Sequence, residues 1–216
     1  MLNTQKRITI TVAALLAIVA LVCGLFVSQY VHTKKKIDVS EFHGTYLEKP
    51  REINQFSLSG SDHQPFTNAS LQGQWTMVFF GFTNCGYLCP TTMAELSKMY
   101  RLLEEKGVTT LPRVVMISID PERDSFEKLN NYVTAFNQHF YGARGDEGAI
   151  KLMTREMGIA YAKIALPTAE DAQNYDMEHT GTVILFNPQG ELNAFFTTPH
   201  KADLLARDYQ LLLANT

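Results

Sequence analysis

Cysteine is scarce in this chain, at three in 216 residues, which excludes a small scaffold stapled by disulfides. Glycine and proline are also sparse, at 13 and 8 residues, so the chain is neither collagen-like nor of low complexity. No Asp or Glu occurs before Asp38, although the first 36 residues carry five Lys/Arg. Beyond residue 36 the balance reverses, with 14 Lys/Arg against 22 Asp/Glu. An acidic main domain is a poor partner for nucleic acid, which needs clustered cations to neutralise phosphates, so none is expected to bind.

What charge there is near the N-terminus flanks an apolar run. Residues 8–27 contain no charged side chain, with Lys6 and Arg7 before them and Lys34, Lys35 and Lys36 after. Twenty helical residues at about 1.5 Å each span about 30 Å, the thickness of a bilayer core. A cleaved signal peptide has a shorter apolar run and a small-x-small cleavage site, and no such site stands out. Val22 is too bulky for a lipidation motif at Cys23, and the apolar run continues past it. The expectation is therefore an uncleaved anchor over residues 8–31. The two flanks carry similar positive charge, so the positive-inside rule does not decide the orientation. A short basic tail, residues 1–7, usually stays in the cytoplasm, which places the main domain in a periplasm-like space.

Residues 32–50 read as a polar tether, and residues 51–216 as one α/β domain. Residues 56–58 suggest a short strand before the Gly60-Ser61-Asp62 turn. Residues 76–82 and 114–119 are apolar runs suited to buried strands. Met93, Leu96, Met99, Tyr100 and Leu103 recur at helical spacing up to Gly107. Asp124 and Glu127 fit a capping box opening a helix with Phe126, Leu129, Tyr132, Val133 and Phe136 inward. A helix over residues 147–157 ends well at Gly158. Residues 159–164 alternate as a strand. Residues 182–186 and 192–196 flank Asn187-Pro-Gln-Gly190, a hairpin turn. Residues 201–213 form a last amphipathic helix. This order matches a thioredoxin-like central sheet flanked by helices.

Cys85 and Cys89 stand in C-G-Y-L-C-P, between a predicted buried strand and a predicted helix. Free N–H groups and positive potential at a helix N-terminus favour thiolate over thiol. Sulfurs four residues apart on a helix face one side, where they can chelate an ion or close a disulfide. Two thiolates select Cu(I) or Zn(II); zinc usually takes four ligands, whereas Cu(I) accepts three. Of the six histidines, only His179 lies immediately before a predicted core strand, near the cysteine loop.

C-G-Y-L-C-P, S-I-D-P-E-R-D at residues 118–124, M-G-I-A-Y-A-K at 157–163 and D-M-E-H-T at 176–180 together resemble the Sco/SenC family. Its members are membrane-anchored, thioredoxin-like copper proteins of cytochrome c oxidase assembly. The resemblance covers roughly residues 50–212. It implies copper, as Cu(I) or Cu(II), bound by Cys85, Cys89 and His179. It also implies delivery of copper to the oxidase's copper-bearing subunit, or reduction of that subunit's thiols. The location implied is the inner membrane, single-pass, with the C-terminal domain in the periplasm. One departure is visible. The family commonly has Pro-Asp after the first cysteine, and Gly86-Tyr87 stand there instead.

An enzymatic reading competes with a binding protein that has no turnover. In it, Cys85 attacks a partner disulfide and Cys89 resolves the mixed disulfide. Thioredoxins place two residues between their cysteines, not three, which weakens this reading. A peroxidase is less suited still, since no separate peroxidatic motif is present. Among lesser candidates, Asp120 reads as a turn device, Arg123 as a partner for Asp124, and Asp176 as an acceptor orienting His179. Met177 reads as a core residue, and His200 as a cap or a neighbour of the site.

Overall fold

The computed structural model describes residues 2–32, 41–165 and 175–214. Helix α1 spans Leu2–His32 and contains the apolar stretch Ile8–Phe26. The side chains of that stretch are exposed, Phe26 to 71%. An apolar face on every side of a helix suits lipid, not a one-sided protein core. The chain divides into two compact units, one of Met1–Ile37 with Leu212–Thr216 and the other of Asp38–Leu211.

The second unit is built on one eight-stranded sheet. Its strands are β1 (Thr45–Arg51), β2 (Ser57–Gly60), β3 (Pro65–Thr67), β4 (Thr76–Gly81), β5 (Arg113–Ser118), β6 (Tyr141–Arg144), β9 (Val183–Phe186) and β10 (Leu192–Phe196). Their spatial order is β1-β10-β9-β4-β5-β6-β2-β3. β4 pairs parallel with β5 and antiparallel with β9, and β5 pairs parallel with β6. All six residues of β4 are buried, as its unbroken apolar run requires of a central strand. Helices α2 (Leu88–Glu105), α3 (Phe126–Phe136), α4 (Glu147–Glu156) and α5 (Ala202–Leu213) flank the sheet.

Two strands stand apart. β7 (Tyr161–Ala165) and β8 (Tyr175–His179) form a separate antiparallel pair, with Tyr161 opposite His179. The alternating run read over residues 159–164 is thus a strand, but not one of the main sheet. Residues 162–165 are exposed, which is consistent with a place off the core.

Two further expectations are corrected. Residues 45–50, read as tether, belong to β1, which pairs with β10 at the sheet edge. Edge strands tolerate the Lys49-Pro50 and charge that made this segment look irregular. Asp124 does not cap α3. Ser125 does, its hydroxyl accepting from the Lys128 N–H. Gly158, at φ 69°, ends α4 in the left-handed conformation that glycine takes without strain.

Candidate metal centre

α2 begins just beyond the carboxyl end of β4, the kind of edge where α/β sheets gather ligands. Its N-cap residue, Tyr87, makes no capping bond through its side chain. The Cys85 sulfur takes that place, accepting from the Cys89 backbone N–H at 3.3 Å. Pro90 follows within the first turn, where its missing N–H costs nothing.

The two sulfurs are driven apart in acidity. A hydrogen bond from the Cys89 thiol, foremost, draws the Cys85 thiol down to about 3 against the opposing effect of burial. The backbone N–H groups of Cys89 and Tyr87 add to that effect. Cys89 is pushed up by the same bond and then by its burial, so it stays protonated. The pair is a half-buried thiolate beside a fully buried thiol.

His179 closes β8 against the rings of Phe79 and Phe82, whose centroids lie 5.9 and 5.8 Å from its own. Its Nδ1 donates to the Thr180 carbonyl at 3.1 Å. That leaves Nε2 facing the sulfurs, 3.3 Å from Cys89 Sγ. The ligand atoms of Cys85, Cys89 and His179 all lie within 4.8 Å of one another. Two sulfurs and one imidazole nitrogen at this separation can hold one soft ion. An open cavity of about 510 Å³ adjoins them, with Leu88, Ala160, Ala162 and Met177 in its lining.

The segment over residues 118–124 bonds to Thr83, in the cysteine loop, and to Tyr175, at the start of the His179 strand. Asp124, wholly buried, accepts from the Thr83 N–H and hydroxyl and from the Ser118 hydroxyl. Asp120 accepts from the Tyr175 hydroxyl at 2.6 Å and from Arg123 Nε. Arg123 therefore pairs with Asp120 and not with Asp124. Asp176 does not orient His179; it accepts from the Met177 N–H instead. His200 donates through Nε2 to the Gly181 carbonyl at 2.6 Å, and burial lowers its pKa. It braces the turn after His179 and is not part of the sulfur–imidazole cluster. Thr83 and Tyr175 were missed from the sequence. The alternation of Tyr175 with Met177 was a usable signal for a buried tyrosine; nothing local marks Thr83.

The SCO1/SenC family model matches residues 44–214. The chain belongs to the SCO1/SenC family. An SCO2-like protein of Rickettsia prowazekii is 27% identical over 214 residues, covering 99% of this chain and 100% of the relative. The crystal structure of Arabidopsis thaliana ScoI with copper bound superposes with a TM-score of 0.68 at 28% identity, covering 74% of this chain and 98% of that one. The solution structure of apo Sco1 from Thermus thermophilus also gives 0.68, at 32% identity, covering 79% and 96%. The fold is accordingly the thioredoxin-like α/β fold of Sco proteins. Within this SCO1/SenC chain, the Gly86-Tyr87 departure sits at the surface. A Cβ at Gly86 would meet nothing within 4 Å, and Tyr87 is 78% exposed. Steric fit therefore does not demand glycine there.

Proposed function

We propose that this SCO1/SenC protein is a membrane-anchored copper-binding assembly factor for cytochrome c oxidase, with Cys85, Cys89 and His179 as the copper ligands. The observation that carries the reading is the convergence of those three donors within 4.8 Å beside an open cavity. A three-donor site leaves the ion approachable, as cargo that must be released requires. The copper bound in the Arabidopsis relative supports the choice of metal. The recipient is the copper-bearing subunit of the oxidase, which receives copper or has its thiols reduced. Residues 8–31 anchor the chain in the inner membrane, residues 1–7 form a cytoplasmic tail, and the main domain faces the periplasm.

A second reading, thiol-disulfide exchange, is favoured by one feature: a half-buried Cys85 thiolate next to a protonated Cys89. Cys85 would attack a partner disulfide and release one partner thiolate. Cys89, on losing its proton, would then displace the second partner sulfur and leave a Cys85–Cys89 disulfide.

One experiment separates the two. The full chain in detergent is titrated anaerobically with Cu(I) against a colorimetric chelator, and disulfide reductase turnover is measured alongside. The reduced protein should take up about one equivalent, since a disulfide removes both thiolate donors and the oxidised protein should bind poorly. Cys85→Ala, Cys89→Ala and His179→Ala should each weaken binding sharply while circular dichroism stays native-like. Wild-type affinity in His179→Ala would show that the third ligand is wrongly assigned. Little copper uptake, with reductase turnover indifferent to His179, would favour the enzyme.

A further inference from the structure

The segment over residues 118–124 supplies no atom to the sulfur–imidazole cluster, yet it buries two carboxylates, those of Asp120 and Asp124. Burying a carboxylate is costly unless its oxygens are satisfied, so these bonds are where the segment's role lies. Asp124 holds Thr83, two residues before Cys85. Asp120, 3% exposed, holds the Tyr175 hydroxyl and Arg123 Nε. Arg123 Nη1 also donates to the Tyr175 carbonyl at 2.7 Å, and its Cζ lies 3.7 Å from the centre of the Tyr175 ring. Tyr175 is thus gripped at its backbone, its ring and its hydroxyl.

Tyr175 opens β8, and His179 closes it. β8 pairs with β7, and neither strand joins the eight-stranded sheet. Backbone pairing to the core therefore does not set where the His179 strand lies relative to the cysteine loop. His200 holds the chain just beyond His179, through Gly181. At the entry to the strand, the grip on Tyr175 does the equivalent work, and the β7–β8 ladder transmits it along the strand.

We propose that Arg123, acting with Asp120 and Tyr175, is a positioning residue that sets the His179 imidazole opposite the two cysteine sulfurs. This rests on His179 being a copper ligand. The test is a double-mutant cycle on the full chain in detergent. Cu(I) affinity is measured anaerobically for Arg123→Met and Tyr175→Phe, each alone and combined with His179→Ala. Tyr175→Phe keeps ring and carbonyl and removes only the hydroxyl, so it remains informative if Arg123→Met fails to fold. In the His179 background each change should weaken binding by about 10- to 100-fold, as loss of a ligand's support typically does. In the His179→Ala background each should change affinity by no more than about twofold, the margin for independent sites. X-ray absorption should show loss of the nitrogen scatterer in Arg123→Met while both sulfurs remain. Equal losses in the two backgrounds, or no loss in either, would overturn the positioning role. Wild-type affinity in His179→Ala alone would overturn the ligand assignment, and this inference with it.

Discussion

At Cys85 the hydrogen bonds from Cys89 decide the chemistry more than the cysteine itself does. Its pKa is lowered to about 3, so the thiolate is present above that pH and is lost only as pH falls through it. An ordinary cysteine loses thiolate about tenfold per pH unit below about 8.5. Site-resolved alkylation should therefore give a Cys85 rate that barely changes between about pH 8 and pH 5. A rate that falls tenfold per unit across that range would show the stabilising bonds to be ineffective. Two nearby glycines should behave oppositely. A Cβ on Gly81 would lie 2.7 Å from Phe79 Cε1 and 2.9 Å from Cys89 Sγ. Gly81→Ala should cost about 1–3 kcal/mol by overpacking, whereas Gly86→Ala, in open space, should be neutral or slightly stabilising in chemical denaturation.

Helix α3 shows how one local pattern conceals two roles. From the sequence, Asp124 and Glu127 look like a capping box, yet Ser125 is the cap and Asp124 turns inward. Ser125→Ala should cost about 1 kcal/mol, as loss of an N-cap usually does. Asp124→Ala should cost about 3 kcal/mol or more, since it strips a charged acceptor from the Thr83 and Ser118 donors. Equal costs in urea melts would restore the capping-box reading. The elements the sequence shows clearly are those with a long apolar run or period, β4, β5, α2 and α3. β3 and β6 have three and four residues, too few to establish an alternation. β1 was obscured by the polar residues that suit an edge strand.

On the scale of the whole chain, α1 presents apolar side chains on every side over Ile8–Phe26, which the main domain's sheet does not need for its own core. Deleting residues 1–37 should move the protein from the membrane to the soluble fraction, because they hold the candidate span and no strand of the eight-stranded sheet. A phosphatase that works only outside the cytoplasm, fused at the C-terminus, should be active. An active cytoplasmic reporter at the same point would reverse the proposed orientation.

The α/β architecture, the apolar N-terminal span and the candidacy of Cys85, Cys89 and His179 were all legible along the chain. The first two rest on periodicity and run length, and the third on the place of those residues between predicted elements together with the Sco/SenC resemblance. The S-I-D-P-E-R-D signature was legible too, but not the use to which its side chains are put. Folding settles that Asp124 reaches Thr83, that Arg123 joins Asp120 to Tyr175, and that β7 and β8 leave the main sheet. These contacts join residues up to 55 apart in the chain. A buried carboxylate takes whichever donors the fold brings to it, and no spacing rule along the chain encodes which those are.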